Sequence, residues 1–436
     1  MVQAKAARFG VATSSRTRMT WLSRRLWTAL AFGIHTSPHK GSDVEGANRR
    51  LLSLSFQFTL RGPQMYRKSP ASKFDALYLA VLPFYREYCI QELKADLSLD
   101  VILFAGDRHV DPTIRTGISR SLYVQVRNYV LAGRVLVQLG GWRTAISAKT
   151  TILDLNPRSL TAWTLLGLRR ILGRRTLLWG HLHPRSGRGS RTAVLRRSMR
   201  RLSNGTVLYG YDSVPFALAE LPGSPVWVAP NSLYARDALT VPANEGPYTS
   251  VLYVGRLVSD KKVDLLIRGF LRSDLATRGV QLVIVGEGAE RKALADLVSE
   301  LGGNASVTFL GQVADVNELR HLYEDALCSV SPGYVGLSLT QSLGFGVPML
   351  ISRDEPHSPE LELARIGGVE FFETDSPLAL AAALDALAPA GSACERQRIS
   401  IAIRKTYSAE AMAAGIASAL KNTKQELGDD GWPSNR

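Results

Sequence analysis

Cysteine is scarce in this chain. Cys89, Cys328 and Cys394 are far apart and odd in number, which excludes a disulfide framework and a cysteine metal cluster and suits a reducing compartment. Long apolar runs are also missing. The run Leu26 to Ile34, after Arg24-Arg25, falls short of the ~18 uncharged apolar residues that a membrane helix needs, so the chain does not read as an integral membrane protein. No Walker-type loop with Gly-Lys-Ser/Thr occurs, and no Asp-x-Asp motif stands at a strand end. Acidic residues are absent between Arg169 and Arg201, a stretch that holds eleven arginines.

What is present is an ordinary globular composition, 45% apolar and 21% charged. Its 436 residues allow two separate cores, since single cores stop growing near ~250–300 residues. The net charge of +15 is unevenly placed: residues 1–63 carry ten basic and two acidic side chains. That opening, residues 1–64, reads as a disordered basic extension upstream of Met65, with an arginine-rich targeting segment as the alternative. The arginine block at 169–201 offers a surface for phosphate. It lacks the interleaved aromatics of a nucleic-acid module, so an anionic membrane leaflet suits it better than nucleic acid. The location expected is cytoplasmic, with peripheral contact at the inner membrane face.

From Phe74 onward short apolar runs alternate with amphipathic stretches, the pattern of βαβ units and parallel sheets. Strands are expected at Ala76–Leu82, Val101–Phe104, Val135–Leu139, Thr151–Leu155, Thr176–Trp179, Thr206–Tyr209 and Val226–Ala229. A Pro- and Gly-bearing linker at Leu239–Ser250 precedes a second alternation. Its strands are expected at Val251–Gly255, Gln281–Gly286, Val307–Gly311, Ala326–Ser331, Val347–Ser352 and Val369–Glu373. The resulting expectation is an α/β protein with one Rossmann-like domain over 65–245, a second over 246–422, and a polar tail over 423–436. Ligands bind beyond the carboxyl ends of such strands, so the two halves would face each other across a cleft.

Three elements of the second half carry chemistry. Gly255-Arg256-Leu257-Val258-Ser259-Asp260-Lys261-Lys262 follows a strand, and its Arg256 and Lys261 can clamp a diphosphate. Val285-Gly286-Glu287-Gly288 closes the next strand with glycines that permit close backbone approach. Ser331 to Pro348 runs through a glycine-bearing loop into a helix near Gly336, whose free N–H groups favour a phosphate or a sugar hydroxyl. Singly, each is more often structural than ligand-binding.

Together, the runs VGRLVSDKKVDLLIRGF, LVIVGEGAERKAL, VTFLGQV and GLSLTQSLGFGVPML resemble the C-terminal domain of retaining GT-B glycosyltransferases of the family-4 group, over about Ser250 to Leu420. In the first half, Leu82-Pro83-Phe84-Tyr85-Arg86, LLWGHLH and Pro230-Asn231-Ser232 fit the acceptor side of similar enzymes. The resemblance implies that Arg256 and Lys261 hold the donor's diphosphate. Backbone N–H groups around Tyr334, Val335, Gly336 and Leu337 would meet sugar and phosphate. The Gly286–Gly288 turn and the stretch Phe309–Val313 would line the base pocket. His181 would approach the transferred sugar from across the cleft, with His183 in reserve.

The pattern departs at one place. Two glutamates eight residues apart are usual in the third element, and Gly333 and Gln341 stand there instead. Gln341 can still hydrogen-bond a ribose hydroxyl, whereas Gly333 offers no side chain. Asp354, His357 and Glu360 are nearby polar candidates. The activity implied is transfer of a hexosyl unit from a UDP- or GDP-sugar to a hydroxyl, with retention and without metal or cofactor. The acceptor would be lipid-linked or a surface polysaccharide. A nucleotide-sugar epimerase of the same fold and a non-catalytic nucleotide-sugar binder are the alternatives.

Overall fold

The computed structural model describes residues 72–111, 114–184, 189–241, 248–387 and 393–434. The expectations for the basic extension, for Arg185 and Arg188, and for the middle of the linker lie outside these residues.

The first half is built on β1 (Asp75–Leu79), β2 (Val101–Ala105), β3 (Val124–Gln125), the pair β4 (Arg127–Leu131) and β5 (Val135–Leu139), β6 (Thr150–Asp154), β7 (Arg175–Gly180), β8 (Thr206–Leu208) and β9 (Val226–Val228). Seven of these form one parallel sheet in the order β3-β2-β1-β6-β7-β8-β9. All five residues of β1 are buried, as expected of a strand covered on both faces by helices. Val135–Leu139 is a strand, but not in that sheet. It pairs antiparallel with β4 as a separate hairpin. Its alternating burial marks a strand covered on one face.

The second half repeats the plan with β10 (Ser250–Val254), β11 (Gln281–Val285), β12 (Val307–Gly311), β13 (Ala326–Ser331), β14 (Met349–Ser352) and β15 (Val369–Phe372). Their order is β12-β11-β10-β13-β14-β15, all parallel. Helices Val263–Phe270 and Pro377–Ala386 cover one face through Leu266, Phe270 and Leu380. In both sheets the strand order reverses at one point, between β1 and β6 and between β10 and β13. Crevices form at such reversals.

Serine and aspartate caps begin the helices as their types predict. The side chains of Ser159, Ser190, Asp315, Ser376 and Ser408 each accept a first-turn N–H.

The C-terminal segment corrects the linear domain reading. Helix Ala409–Lys421 packs with the first half: Met412, Ala413, Ile416 and Leu420 share a core with Leu77, Ile90 and Trp227. A Cβ at Gly415 would lie 2.1 Å from the Val228 carbonyl, so glycine is what lets this helix close onto β9. Arg175 caps its end, donating to the Ala419 and Leu420 carbonyls and to Asn422 Oδ1. Beyond it, Gln425 accepts from Val228 N and donates to Val228 O, covering the edge strand β9. Trp432 is buried and donates to Asp212. Residues 423–434 are therefore part of the packed body rather than a polar tail.

The arginine block is likewise not one surface. Arg169 is fully buried and donates to the carbonyls of Ala145, Ile146, Ala148 and Arg175. Arg200 is buried against Glu220, Thr206 and the Ala217 carbonyl. Arg196 holds the carbonyls of Leu155 and His181. Arg170, Arg191, Arg197 and Arg201 are exposed. Charge without acidic partners here largely serves carbonyl groups at strand and helix ends, a use that composition does not show. Among the described residues, no helix is long and apolar enough to cross a membrane.

Candidate active site

The two sheets face each other across a cavity of about 660 Å³, lined from the first half by Pro83, Tyr85, His181 and Asn231 and from the second by Arg256, Lys261, Tyr334, Gly336, Leu337 and Gln341. Most of the residues singled out in sequence thus converge on one place.

Each is positioned by a backbone requirement. The loop after β10 is pinned by Gly255 N donating to Val285 O and Leu257 N to Glu287 O. A Cβ at Gly286, where φ is +143°, would meet Gly255 O at 1.8 Å, and one at Gly288 would meet Leu257 O at 2.1 Å. These glycines are needed for two strand-end loops to touch. Neither lines the cavity. They hold the Arg256 loop in place, and a role in contacting a base is not required to explain them. The turn at Ser259–Lys261 then delivers Lys261, whose Nζ donates to the Tyr334 carbonyl at 2.6 Å and lies 4.9 Å from the centre of the Tyr334 ring. Exposed Arg256 stands on the same wall.

The expected run of free N–H groups at 334–337 is shorter than supposed. Tyr334 N donates to Asp260 O and Val335 N to His357 Nδ1, and the Val335 side chain is in the core. His357 Nε2 in turn faces the Ser352 carbonyl at 2.7 Å. That geometry makes His357 a neutral brace for the loop, with its proton on Nε2. The groups that remain belong to the start of helix Leu337–Gly344, which has no side-chain cap; Leu339 N donates to Gly336 O, and the N–H groups of Leu337 and Ser338 before it favour an anion.

His181, just past β7, lies edge-on to Tyr209 at 4.8 Å. Burial pushes its pKa down, with Arg196 and Arg86 adding to the effect and Glu360 opposing it, so the imidazole is neutral near pH 7. His183 faces Glu220 instead and is not on this cavity. Of the three polar candidates after β14, Asp354 is exposed, His357 is the brace, and Glu360 is buried on the cavity wall.

A second cavity of about 600 Å³ shares Pro83, Tyr85, Ile114 and His181 with the first, and is also lined by His109, Asp154, Arg158 and Arg196. It sits at the reversal between β1 and β6. Burial drives the Asp154 carboxyl up to about 6, against the lowering effects of the Ala80 N–H and Arg86. Sequence reasoning missed this acid and the loop Ile114–Gly117. Asp154 looks like an ordinary strand-end residue, and the loop has no periodicity. Among the described residues, no group of three or more His, Cys, Asp or Glu is placed to hold a metal ion.

Comparison with known proteins agrees with this fold. Residues 241–405 match the family model described as glycosyl transferases group 1. A glycosyltransferase of Methanocaldococcus jannaschii is 34% identical over 105 residues, 23% of this chain and 26% of that protein. The chain thus spans about a quarter of that curated relative's length. Sucrose-phosphate synthase from Thermosynechococcus elongatus superposes with a TM-score of 0.58 at 16% identity, over 80% of this chain and 99% of that one. The Anabaena protein HepE in complex with UDP gives 0.58 at 13%, over 80% and 100%. The fold is GT-B. In this GT-B chain the two Rossmann-like halves, the cleft and the strand-end loops around it are those described above.

Proposed function

We propose that this protein is a glycosyltransferase that moves a hexosyl unit from a UDP- or GDP-sugar to a hydroxyl acceptor, retaining the anomeric configuration and needing no metal. One observation carries the reading: Arg256, Lys261 and the uncapped start of helix Leu337–Gly344 meet on one wall of a cavity whose other wall holds His181. Two cations and a helix N-terminus suit a diphosphate. The match of 241–405 to group 1 glycosyltransferases and the UDP in the HepE complex support the donor class.

In this mechanism the acceptor oxygen bonds to the anomeric carbon as the bond from that carbon to phosphate breaks. The departing phosphate oxygen takes the acceptor's proton. Arg256 and Lys261 stabilise the charge that develops there, in a site where preorganised donors act strongly. Neutral His181 orients the transferred sugar. The second cavity, with Arg158, Arg196 and His109 on its walls, suits a phosphate-bearing, lipid-linked acceptor. Exposed Arg170, Arg191 and Arg201 beside exposed Ile171, Val194 and Leu195 support peripheral contact with an anionic membrane.

Lys261→Ala tests the clamp. Losing a charged hydrogen bond to phosphate costs about 1.5–3 kcal/mol, so turnover should drop roughly ten- to a hundredfold while the melting transition stays cooperative. Wild-type turnover in a folded Lys261→Ala protein would sink the assignment.

A further inference from the structure

No side chain fits at position 333. A Cβ on Gly333 would lie 2.4 Å from Asp260 O and 2.9 Å from the Lys261 carbonyl carbon, because the clamp loop is docked there by the Tyr334 N to Asp260 O bond. The same cavity nevertheless carries polar groups that have nothing to bond. Glu360 Oε2, Gln341 Nε2, Ser358 Oγ and Asn231 Oδ1 are buried with no hydrogen-bond partner among the described residues, and all four residues line this cavity. Their exposures are 2%, 5%, 8% and 9%.

Unsatisfied buried polar atoms are few in folded proteins, and each asks for a cause. Their chemistry identifies one. The carboxylate oxygen of Glu360 and the amide oxygen of Asn231 accept, the amide nitrogen of Gln341 donates, and the Ser358 hydroxyl does either. Such a mixture suits the hydroxyls of a neutral polyol, which both donate and accept. It does not suit phosphate, which the Glu360 carboxylate repels. Glu360 is also held for the task. Its Oε1 accepts from Asn231 Nδ2 at 2.7 Å, which leaves Oε2 without a partner among the described residues. Electrostatic support comes from Arg86, buried with its guanidinium 4.9 Å from the Trp179 ring and 5.1 Å from the Tyr209 ring.

We propose that Glu360, with Gln341, Ser358 and Asn231, is the sugar-hydroxyl subsite for the donor. In this chain a carboxylate from the 3-10 helix Pro359–Ile366, after β14, takes the work that position 333 cannot do. This inference rests on the donor reading above and deepens it. Because Asn231 comes from the first half and the other three from the second, the sugar would be gripped by both halves at once.

The test separates the nucleotide from the sugar. Binding of UDP, UDP-glucose, UDP-galactose, GDP and GDP-mannose is measured by calorimetry for the wild type, Glu360→Gln and Ser358→Ala, with turnover and thermal melting alongside. In Glu360→Gln, affinity for the bare nucleotide should stay within about twofold of wild type and melting should be unchanged. Turnover and the affinity added by the hexose should fall about tenfold or more, the scale of a lost charged hydrogen bond. Ser358→Ala should give a smaller loss of the same kind. Full sugar-dependent turnover in Glu360→Gln overturns the proposal, and so does an equal loss of affinity for the bare nucleotide. A wild type that binds no nucleotide or nucleotide sugar overturns the donor reading and this subsite together; nucleotide binding that persists while Glu360→Gln behaves as wild type overturns the subsite alone.

Discussion

Asp154 gives the strongest link between pH, stability and the proposed acceptor crevice. It ends β6 at the strand-order reversal, and its Oδ2 accepts from Ala80 N at 2.5 Å. Burial raises its pKa from 3.8 to about 6. A folded-state pKa above the unfolded one means that the native protein binds this proton more tightly. The resulting stabilisation is fully present below pH ~4 and is lost as pH rises through ~6. About two units at 1.36 kcal/mol each make the charged carboxylate cost roughly 3 kcal/mol by pH 7.5. Asp154→Asn keeps an oxygen for the Ala80 N–H and removes the charge. The variant should therefore be more stable than wild type at pH 7.5, by up to about 3 kcal/mol or several degrees in Tm, with the difference reduced to about 1 kcal/mol at pH 4.5. Urea titrations of both proteins at four or five pH values between 4.5 and 8 measure this directly. Parallel pH profiles, or an Asn variant that is weaker throughout, would refute the argument. Nucleotide affinity should be unaffected, because Asp154 lines the second cavity and not the one that holds Arg256 and Lys261.

Two further predictions concern the scaffold. Gly333→Ala forces a methyl into Asp260 O at 2.4 Å, so the clamp loop must shift; UDP affinity by calorimetry should drop about tenfold or more, with a modest loss of Tm, and wild-type affinity would show that the loop position does not matter. Arg175→Ala strips three acceptors at the end of helix Ala409–Lys421; stability in urea should fall by about 1–3 kcal/mol with UDP affinity unchanged, whereas equal loss in both would place the helix in the binding machinery.

The second half was legible because each of its signals is local. Strand runs from Val251 to Glu373 and the helix start near Gly336 match observed elements to within a few residues. Arg256, Lys261, Tyr334, Gly336, Leu337, Gln341 and His181 do share one cavity. What the sequence hid depends on contacts between distant segments. Nothing local to Val135–Leu139 distinguishes a hairpin strand from a parallel one. Nothing in the arginine block says that Arg169 and Arg200 turn inward to carbonyls. Gly286 and Gly288 permit close backbone approach, and the sequence does not show that Gly255 and Leu257 are among what they approach. The free N–H groups expected at Tyr334 and Val335 are taken by Asp260 and by His357, 22 residues further along.

The glycine at 333 bears on whether this chain is an enzyme or a binding remnant. Read alone, a missing carboxylate suggests decay. In place, it has a mechanical cause: the clamp loop occupies the space a side chain would need, and that docking is what brings Lys261 to the Tyr334 carbonyl. The second consideration is energetic. Four buried polar atoms have no protein partner among the described residues, and such atoms need a partner, water or ligand, to offset their burial. A domain kept only for packing would gain stability by replacing Glu360 or Gln341 with apolar residues. Their presence around one cavity, with His181 and the clamp on its walls, is accounted for if a sugar with many hydroxyls satisfies them. The glycine at 333 and the unsatisfied polar atoms are thus two sides of one rearrangement, and they favour the proposed transfer reaction over the alternative of a binding remnant.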